Sequence, residues 1–405
     1  MGFFNHVEMA ADDPILGLNA AFSRDARLNK VNLGVGVYKS TELQPLVLSC
    51  VKKAEEKIFF SSLSKEYLPI DGNRDFLRLS ENLLLGEGTE ALSSRRVYSA
   101  QTIGGSGALS LGADFLYQEG YNRLFLSEPS WSNHKKLFAK AGFQIDSYPY
   151  LERKRCMLDF ENMCAGIKKM PQGSVILLHA CCHNPTGVDP SLEQWKEISS
   201  LIKAQKAIPF FDFAYHGFAE GLEKDPFPIR YFVEEGHEML VAYSFSKNFG
   251  LYGERLGALF VITEEEKIVE KVKSRVKQLI RSRYSSPPIH GSRIVKEILE
   301  EESLLREWAA ELENMRLRIN EMRKALASEL LAQSQKIDFS FMHEQRGMFS
   351  FSGLDRDHVD RLAVEYGIYM PSNGRINVAG LSSENLDYVV GAILTVLSSR
   401  EEMDG

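Results

Sequence analysis

Side chains capable of polar chemistry follow three apolar runs of the sequence: Asn184, Asp212 and Lys247. An unpaired carboxylate within an apolar run costs several kcal/mol, so Asp212 should have a cationic or N–H partner. A lone lysine at the end of a strand is usually a solvated surface amine. A lysine shielded from water and flanked by cations instead loses its proton readily and can condense with an aldehyde. The three residues therefore predict amine chemistry, provided that they lie together.

A glycine-rich stretch, Gly104–Gly107 (GGSG), precedes an apolar helical pattern. Backbone N–H groups and a hydroxyl at a helix N-terminus can hold a phosphate without a net positive surface. A dinucleotide-binding fingerprint would require glycine where Ser110 stands. Taken alone, the stretch is explained equally well as a tight strand-to-helix turn without a ligand.

One small molecule would use all of these features. Six side chains are expected near one sheet edge beside the glycine-rich stretch: Asn184, Asp212, Tyr215, Ser244, Lys247 and Arg255. Pyridoxal phosphate needs a lysine, a carboxylate facing its ring nitrogen, hydrogen bonds to its phenolic oxygen, an aromatic face and a phosphate cup. The sequence therefore predicts this cofactor.

Other kinds of site find less support. The sequence has no Gly-Lys pair, no G-x-S-x-G and no H-E-x-x-H, which argues against a Walker loop, a hydrolase elbow and a zinc protease. His179–His183 (HACCH) contains metal-binding residue types, but neighbouring strand residues point to opposite faces, so we expect no metal site. The basic residues from Lys267 to Arg283 alternate with apolar ones at helical spacing, which predicts a solvated helix face rather than a nucleic-acid-binding surface.

The elements that position these residues follow from the hydropathy pattern. Between residues 96 and 262, apolar runs alternate with helical patterns, which indicates a mostly parallel, buried sheet that binds ligands at its carboxyl edge. Asp189 and Pro190 are expected to be the N-cap and first residue of a crossover helix. After Pro287, a long amphipathic helix, strands at 347–353 and 375–379 and a closing helix predict a smaller α+β lobe.

Length and composition indicate a globular protein with two lobes. The 405 residues exceed the ~150 of a typical domain, and a formal charge of −7 gives no general attraction to nucleic acid or to an anionic membrane. No apolar run approaches the ~20 residues of a membrane span, and the first residues lack the pattern of a signal peptide. Five cysteines without a CxxC pair favour a reducing compartment, so we expect a cytoplasmic protein.

The sequence resembles a known family nearly from end to end. Ser244–Tyr252 (SFSKNFGLY) is similar to the lysine signature of the class I aspartate and aromatic-amino-acid aminotransferases, which use pyridoxal 5'-phosphate. Six further segments match this family in order and spacing: Val31–Lys39, Tyr67–Gly72, Pro129–His134, His183–Gly187, Asp212–Tyr215 and Gly374–Val378.

This resemblance implies an architecture. It is the α/β fold type I of pyridoxal-phosphate-dependent transferases, with a mostly parallel seven-stranded sheet in a large domain and a smaller α+β domain. The implied division is an N-terminal arm at 1–10, the first part of the small domain at 11–43, the large cofactor-binding domain at 44–303, and the rest of the small domain at 304–405, beginning with a long connecting helix. The resemblance also implies a homodimer with active sites at the subunit interface.

The resemblance further implies roles for single residues. The catalytic residues would be Lys247, Asp212 and Tyr67, the last from the other subunit. The cofactor would contact these three and also Gly104, Gly105, Ser106, Trp131, His179, Asn184, Tyr215, Ser244 and Arg255. His134 and His179 would support Asp212 from behind, and the neighbour's Ser285 would approach the phosphate region. The substrate would contact Gly36, Trp131, Asn184 and Arg375, and its distal carboxylate would meet Arg281 of the other subunit.

The implied reaction is ping-pong transamination of L-aspartate with 2-oxoglutarate, giving oxaloacetate and L-glutamate. An aromatic or dual donor specificity is the alternative, because Ser106 and Ser286 resemble members that accept aromatic side chains, whereas Lys39 resembles the aspartate type. Gly253 and the loop at 40–45 also depart from the family pattern. A decarboxylase or lyase could use the same lysine, but the paired arginines favour a retained α-carboxylate. A binding module would predict a damaged lysine or aspartate.

Overall fold

The structure, a computed structural model, describes residues 2–9, 14–334 and 337–398. The strands are β1 (Val31–Asn32), β2 (Val97–Ile103), β3 (Arg123–Glu128), β4 (Gln144–Pro149), β5 (Leu151–Glu152), β6 (Met157–Leu158), β7 (Val175–His179), β8 (Ile208–Phe213), β9 (Met239–Ser244), β10 (Leu256–Ile262), β11 (Phe349–Phe351), β12 (Ile368–Tyr369) and β13 (Arg375–Asn377).

The helices surround these strands. They are α1 (Pro14–Arg24), α2 (Ser49–Phe60), α3 (Arg74–Leu85), α4 (Glu90–Ser93), α5 (Gly104–Gln118), α6 (Ser132–Ala141), α7 (Phe160–Lys168), α8 (Leu192–Ala204), α9 (Phe227–Glu234), α10 (Glu266–Arg283), α11 (His290–Glu300), α12 (Glu302–Gln333), α13 (Arg356–Tyr366) and α14 (Leu386–Ser398). Short 3-10 helices occupy Phe339–Glu344 and Val378–Gly380.

A seven-stranded sheet forms the centre of the fold, in the order β2-β10-β9-β8-β7-β3-β4. The pairs among β9, β8, β7, β3 and β4 are parallel, and β10 runs antiparallel to both of its neighbours. This arrangement confirms the predicted mostly parallel, seven-stranded sheet.

Burial on both faces explains why the inner strands of the sheet are largely apolar. Every residue of β7, β9 and β10 is buried. Successive strand residues point to opposite faces of the sheet. In β7, Ile176 and Leu178 therefore pack into one hydrophobic cluster, and the residues that alternate with them, Val175 and Leu177, pack into another. Helices must therefore cover both faces, and ligand-binding side chains are expected at the sheet's carboxyl edge.

A second, smaller group of elements follows the 32-residue helix α12. β11 pairs with β13 in an antiparallel manner, and β1 pairs with β12 in a parallel manner, so an N-terminal strand joins the C-terminal lobe. The predicted strand at 375–379 ends earlier, because the Asn377 side chain accepts a hydrogen bond from Ala379 N–H and a 3-10 helix begins. The expected boundary between residues 10 and 11 lies outside the described residues.

Two details of the helices differ from the sequence-based expectation. Asp189 is not the N-cap of α8, because Ser191 and Gln194 form a capping box there, and the Asp189 carboxylate instead accepts hydrogen bonds from Cys182 and His183. The long amphipathic helix expected after Pro287 is α12, but a further helix, α11, precedes it, and the two meet at an extended Glu301. Among the described residues, no helix combines the length and hydropathy that crossing a bilayer requires.

Candidate active site

The carboxyl ends of the central strands meet at one edge, where a cavity of about 210 Å³ opens. The register places His179 opposite Asp212 and Phe213 opposite Tyr243, so the residues that follow these strands lie side by side. The cavity is lined by eleven residues expected from the sequence: Gly36, Gly105, Ser106, Trp131, Asn184, Asp212, Tyr215, Ser244, Lys247, Arg255 and Arg375. It is also lined by Leu109, Ala214, Ser246, Tyr252 and Phe349, which the sequence analysis did not single out.

The Lys247 amine lies in the turn after β9, with Nζ 5.2 Å from the centre of the Tyr215 ring. Burial lowers the pKa of Lys247; the Asp212 carboxylate opposes this shift, and Arg255 and Arg375 reinforce it. A larger fraction of the amine is therefore neutral than for a surface lysine. A neutral amine is the form that attacks a carbonyl group.

The Asp212 carboxylate, at the end of β8, is buried and held from behind by a chain of hydrogen bonds. His134 Nε2 lies 2.8 Å from Asp212 Oδ2, and Ser130 Oγ lies 2.9 Å from His134 Nδ1 and 3.3 Å from His179 Nε2. Asn184 N–H donates to His179 Nδ1 at 3.4 Å. Because a backbone N–H can only donate, His179 carries its proton on Nε2, and the chain of donors runs through Ser130 and His134 to Asp212.

This chain keeps Asp212 ionised. Burial alone would raise the pKa of Asp212, but the hydrogen bond from His134 and the charge of Lys247 hold that pKa below its ordinary value. Burial also lowers the pKa of His179 to about 3, so this ring stays neutral. The site thus presents a fixed negative charge at its base, suited to a protonated ring nitrogen.

The first turn of α5 forms a cradle that only glycine permits. Gly104 has φ +67°, and a Cβ there would lie 2.4 Å from Arg255 Nη2; a Cβ on Gly105 would lie 2.8 Å from Ser244 Cβ. Gly104 N–H donates to the Arg255 carbonyl at 2.8 Å, and no side chain caps the helix. The N-terminal N–H groups, Ser106 and the guanidinium of Arg255 therefore face one space, which suits a phosphate.

Arg375, the first residue of β13, is a buried cation that is only 4% exposed. Nη1 donates to Asn184 Oδ1 at 3.0 Å, Nη2 donates to the Gly34 carbonyl at 2.6 Å, and the guanidinium lies 4.1 Å from the centre of the Phe349 ring. Within the described ranges, no carboxylate forms an ion pair with it, and burial lowers its pKa to about 10. Neutral oxygens alone leave this charge uncompensated, so the cavity is complementary to a carboxylate.

Four residues expected from the sequence do not line the cavity. Gly104 packs behind Arg255, and His179 lies behind Asp212 in the hydrogen-bond chain. Tyr67 is 86% exposed, and the exposed Arg281 donates to the Ser285 hydroxyl on the surface of the chain. In a single chain, Tyr67 and Arg281 therefore do not reach the site.

Two contributors escaped the sequence analysis although they lie in segments that it singled out. Ser130 lies inside the segment Pro129–His134 and joins two histidines. Phe349 lies in the predicted strand at 347–353 and supports Arg375. Neither residue type signals a role by itself.

The histidine and cysteine segment at the edge of β7 holds no metal cluster. Both ring nitrogens of His183 are engaged, Nε2 with Ser127 Oγ at 2.9 Å and Nδ1 with Thr186 Oγ1 at 2.8 Å. In the part of the chain that the structure describes, no three His, Cys, Asp or Glu side chains are grouped as metal ligands.

Comparison with known proteins agrees with this geometry. The model of the family described as aminotransferase class I and II matches residues 29–393. The mitochondrial aspartate aminotransferase of Xenopus tropicalis is 45% identical over 394 residues, 96% of this chain and 92% of the relative, and the aspartate aminotransferase of Salmonella typhi is 44% identical over 97% of this chain and 100% of the relative.

A solved structure is similar to this chain in both fold and sequence. The aromatic-amino-acid aminotransferase of Burkholderia pseudomallei, which is covalently bound to pyridoxal phosphate, superposes with a TM-score of 0.96 at 45% identity, covering 98% of this chain and 100% of that one. The chain belongs to the class I and II aminotransferase family.

Proposed function

We propose that this chain transfers the amino group of L-aspartate to 2-oxoglutarate, giving oxaloacetate and L-glutamate, with pyridoxal 5'-phosphate as cofactor. The observation that carries the proposal is one cavity that brings together the Lys247 amine, the ionised Asp212 and the uncompensated cation of Arg375. An amino acid, whose amine must react and whose α-carboxylate must be held, fits such a cavity.

The residues present fit the cofactor. Gly105, Ser106, Ser244 and Arg255 line a space that suits its phosphate, and Gly104 packs behind Arg255. Asp212 would pair with the ring nitrogen, Asn184 and Tyr215 would bind the phenolic oxygen, and Trp131 would cover the ring. When bound, the cofactor supplies an aldehyde that condenses with amines and a protonated ring that withdraws electrons from the substrate's Cα.

The chain's own residues then bind the substrate and move its proton. Arg375, oriented by Asn184, binds the α-carboxylate beside Gly36. Lys247 Nζ accepts the proton from the substrate's Cα, which the lowered pKa of this amine permits. Asp212, fixed by His134, keeps its negative charge throughout. Binding of a keto acid to the same arginine allows the reverse transfer, so the two halves form a ping-pong cycle.

We further propose a homodimer in which each subunit completes the other's site. Tyr67 and Arg281 lie at the surface of one chain. A few residues before Tyr67 in the sequence, the apolar rings of Phe59 and Phe60 are 78% and 73% exposed. The partner subunit's Tyr67 would assist at the phosphate, and the partner subunit's Arg281 would bind the distal carboxylate of aspartate.

Buried thiols at all five cysteines, none in a disulfide, support a reducing, cytoplasmic location.

Donation by tyrosine or phenylalanine is the second candidate. Solved relatives at 40–45% identity include aromatic aminotransferases from Burkholderia pseudomallei and Burkholderia cenocepacia. The deciding experiment compares kcat/KM for aspartate, tyrosine and phenylalanine with 2-oxoglutarate as acceptor. We expect aspartate to be the best donor; a higher value for an aromatic donor would replace the first proposal by the second, and no turnover with any donor would refute both.

A further inference from the structure

The segment between β7 and α8, residues 180–189, carries Asn184 into the cavity. It contains neither helix nor strand. Backbone hydrogen bonds fix its two ends, from Ala180 N–H to the Asp212 carbonyl at 3.1 Å and from Arg346 N–H to the Gly187 carbonyl. Side-chain contacts must therefore add to these bonds between the two ends. Asn184 Oδ1 accepts from Arg375 Nη1 at 3.0 Å. The position of this segment therefore helps to orient the Arg375 guanidinium, together with the Gly34 carbonyl and the Phe349 ring.

Asp189 binds the segment at the two residues that directly precede Asn184. Its Oδ2 accepts from Cys182 N–H at 2.7 Å, and its Oδ1 accepts from His183 N–H at 2.9 Å. Hydrogen bonds from N–H groups to a carboxylate are stronger than those to a neutral oxygen. Both oxygens of Asp189 are thus committed to one stretch of backbone.

The backbone at Cys182 needs such a partner. Cys182 has φ +51°, in the left-handed region that side-chain-bearing residues adopt at a cost. In this conformation two successive N–H groups can converge on one anion, and the anion compensates the cost. A Cβ on Gly347 would lie 2.4 Å from Cys182 Cβ, so the facing chain leaves Cys182 little room to move.

A buried cation lies on the other side of this contact. Arg323 of α12 is 2% exposed and donates to Ser350 Oγ at 3.0 Å, to Asn320 Oδ1 at 2.8 Å and to the Gly347 carbonyl. Burial lowers the pKa of Arg323 to about 10, and the nearby Cys182 and Asp189 oppose this shift. The charge of the Asp189 carboxylate thus favours the charged form of Arg323, while its hydrogen bonds go to the segment.

We propose that Asp189 is a positioning residue, which fixes Asn184 and, through it, orients Arg375 for a substrate carboxylate. The inference rests on the function proposed above, because that function assigns the α-carboxylate to Arg375. Asp189 itself does not line the cavity.

The test measures the dissociation constant of succinate, a dicarboxylate without an amino group, for the holoenzyme by calorimetry. Asp189→Asn keeps the shape of the side chain but places an amide donor against one backbone N–H. We expect succinate to bind about tenfold more weakly, because the orienting contact to Arg375 is lost. A dissociation constant within about twofold of wild type would overturn the proposal.

Asp225→Asn is the matched control. Asp225 accepts hydrogen bonds from Gly217, Ala219 and Glu220, so it too ties a loop by its backbone, but none of these residues lines the cavity. We expect this variant to lose thermal stability while its affinity for succinate stays unchanged. An equal loss of affinity in both variants would mean that Asp189 acts only through overall stability.

A double variant shows whether Asp189 acts through Asn184. Asn184→Ala and Asp189→Asn together should bind succinate no more weakly than Asn184→Ala alone, and multiplied losses would contradict the proposal. Should Asp189→Asn fail to fold, Asp189→Glu keeps a displaced carboxylate and is expected to weaken binding about threefold, with wild-type affinity refuting the role.

These outcomes are separate from those of the proposed function. If the wild type binds succinate but transaminates no donor, the proposed function fails, while the ratio of succinate affinities still decides the role of Asp189. If the wild type does not bind succinate, both fail, because Arg375 then holds no carboxylate.

Discussion

Single residues set the chemistry of this site through their charge state. Lys247 is an amine whose pKa is lowered by burial, Asp212 is kept ionised by His134, and Arg375 is a cation that lacks a carboxylate partner in the described chain. Each of these states is unfavourable or unusual in isolation. Together they match a substrate that carries an amine and carboxylates.

The distal carboxylate gives a prediction at this scale. Arg281→Gln should lower kcat/KM for aspartate about a hundredfold, because stranding a bound carboxylate costs about 3 kcal/mol, while phenylalanine should lose less than about threefold. Steady-state kinetics with 2-oxoglutarate held constant measure both values. Arg283→Gln is the control, since Arg283 is in the same turn of α10 but pairs with Asp114. Equal losses for both donors would remove Arg281 from the distal site.

The sequence predicts some of the single residues at the site but not others. The cavity residues after β7, β8 and β9 were predictable, because parallel strands bring their carboxyl ends to one edge whatever else the chain does. Phe349 was not, because its position under Arg375 depends on the pairing of β11 with β13. Asp189 was assigned wrongly, because two helix-start signals stand two residues apart and only packing decides between them.

Among the elements, the start of α5 is the most constrained by backbone space. Its glycines allow Arg255 and Ser244 to approach the helix terminus closely, as the short distances to a hypothetical Cβ show. A larger residue there would displace the guanidinium rather than merely fill a gap.

Gly104→Ala tests this constraint. The Cβ would collide with Arg255, and the positive φ of residue 104 adds strain, so we expect pyridoxal phosphate to bind at least about tenfold more weakly. Absorbance titration of the cofactor-free protein measures the affinity. Gly391→Ala in α14 is the control, because a Cβ there meets nothing within 4 Å. Unchanged cofactor affinity in Gly104→Ala would show that the cradle does not hold the phosphate.

The order of the elements was predictable, whereas their ends were less so. Apolar runs flanked by helical patterns identify the inner strands of the sheet, which are β3, β7, β8, β9 and β10, and the structure confirms them. The edge strands β2 and β4 are mixed in polarity and carry no such run. The strand expected at 375–379 stops at Asn377 because a side-chain hydrogen bond favours a 3-10 turn there. The domain boundaries at residues 43 and 303 stay predictions, although α12 begins close to the second.

At the scale of the whole molecule, the proposed active site combines residues of two chains. Arg281 and Tyr67 lie outside the cavity of one chain, so sequence resemblance alone connected them to the site, and no pattern within a single chain does so.

Mixing two variants that are each defective with aspartate tests the shared site. Lys247→Ala lacks the reactive amine, and Arg281→Gln lacks the distal cation, but a hybrid dimer has one site with both residues native. Random reassociation makes half of the dimers hybrids, so mixing should restore about a quarter of wild-type aspartate activity. The unmixed variants are the controls. Failure to recover activity, with hybrids demonstrated by mass, would place Arg281 and Lys247 in sites of the same chain or in none.

Acid sensitivity is a second property of the whole chain. Burial lowers the pKa values of His179, His216 and His237 to about 3, 4 and 4, so the unfolded chain takes up protons that the folded chain does not. The contribution of these histidines to the free energy of unfolding is therefore complete at pH values above their unfolded pKa of about 6.5. As the pH decreases below that value, each histidine lowers the free energy of unfolding by up to about 1.4 kcal/mol per pH unit.

His237→Gln isolates one of these contributions away from the site. Urea unfolding of both proteins at pH 8 and pH 5 should show that the variant loses about 2 kcal/mol less than wild type over this range. An identical pH dependence in the two proteins would mean that His237 is not kept neutral by burial.

The central claim is that Lys247 is the residue that reacts with the cofactor's aldehyde, and borohydride reduction of the holoprotein tests it most directly. Borohydride reduces the C=N bond between the lysine and the cofactor to a stable C–N bond. A digest should therefore contain one peptide with the added pyridoxyl phosphate mass, on Lys247. A label on another lysine, or no label on a protein that retains its cofactor before reduction, would contradict the account.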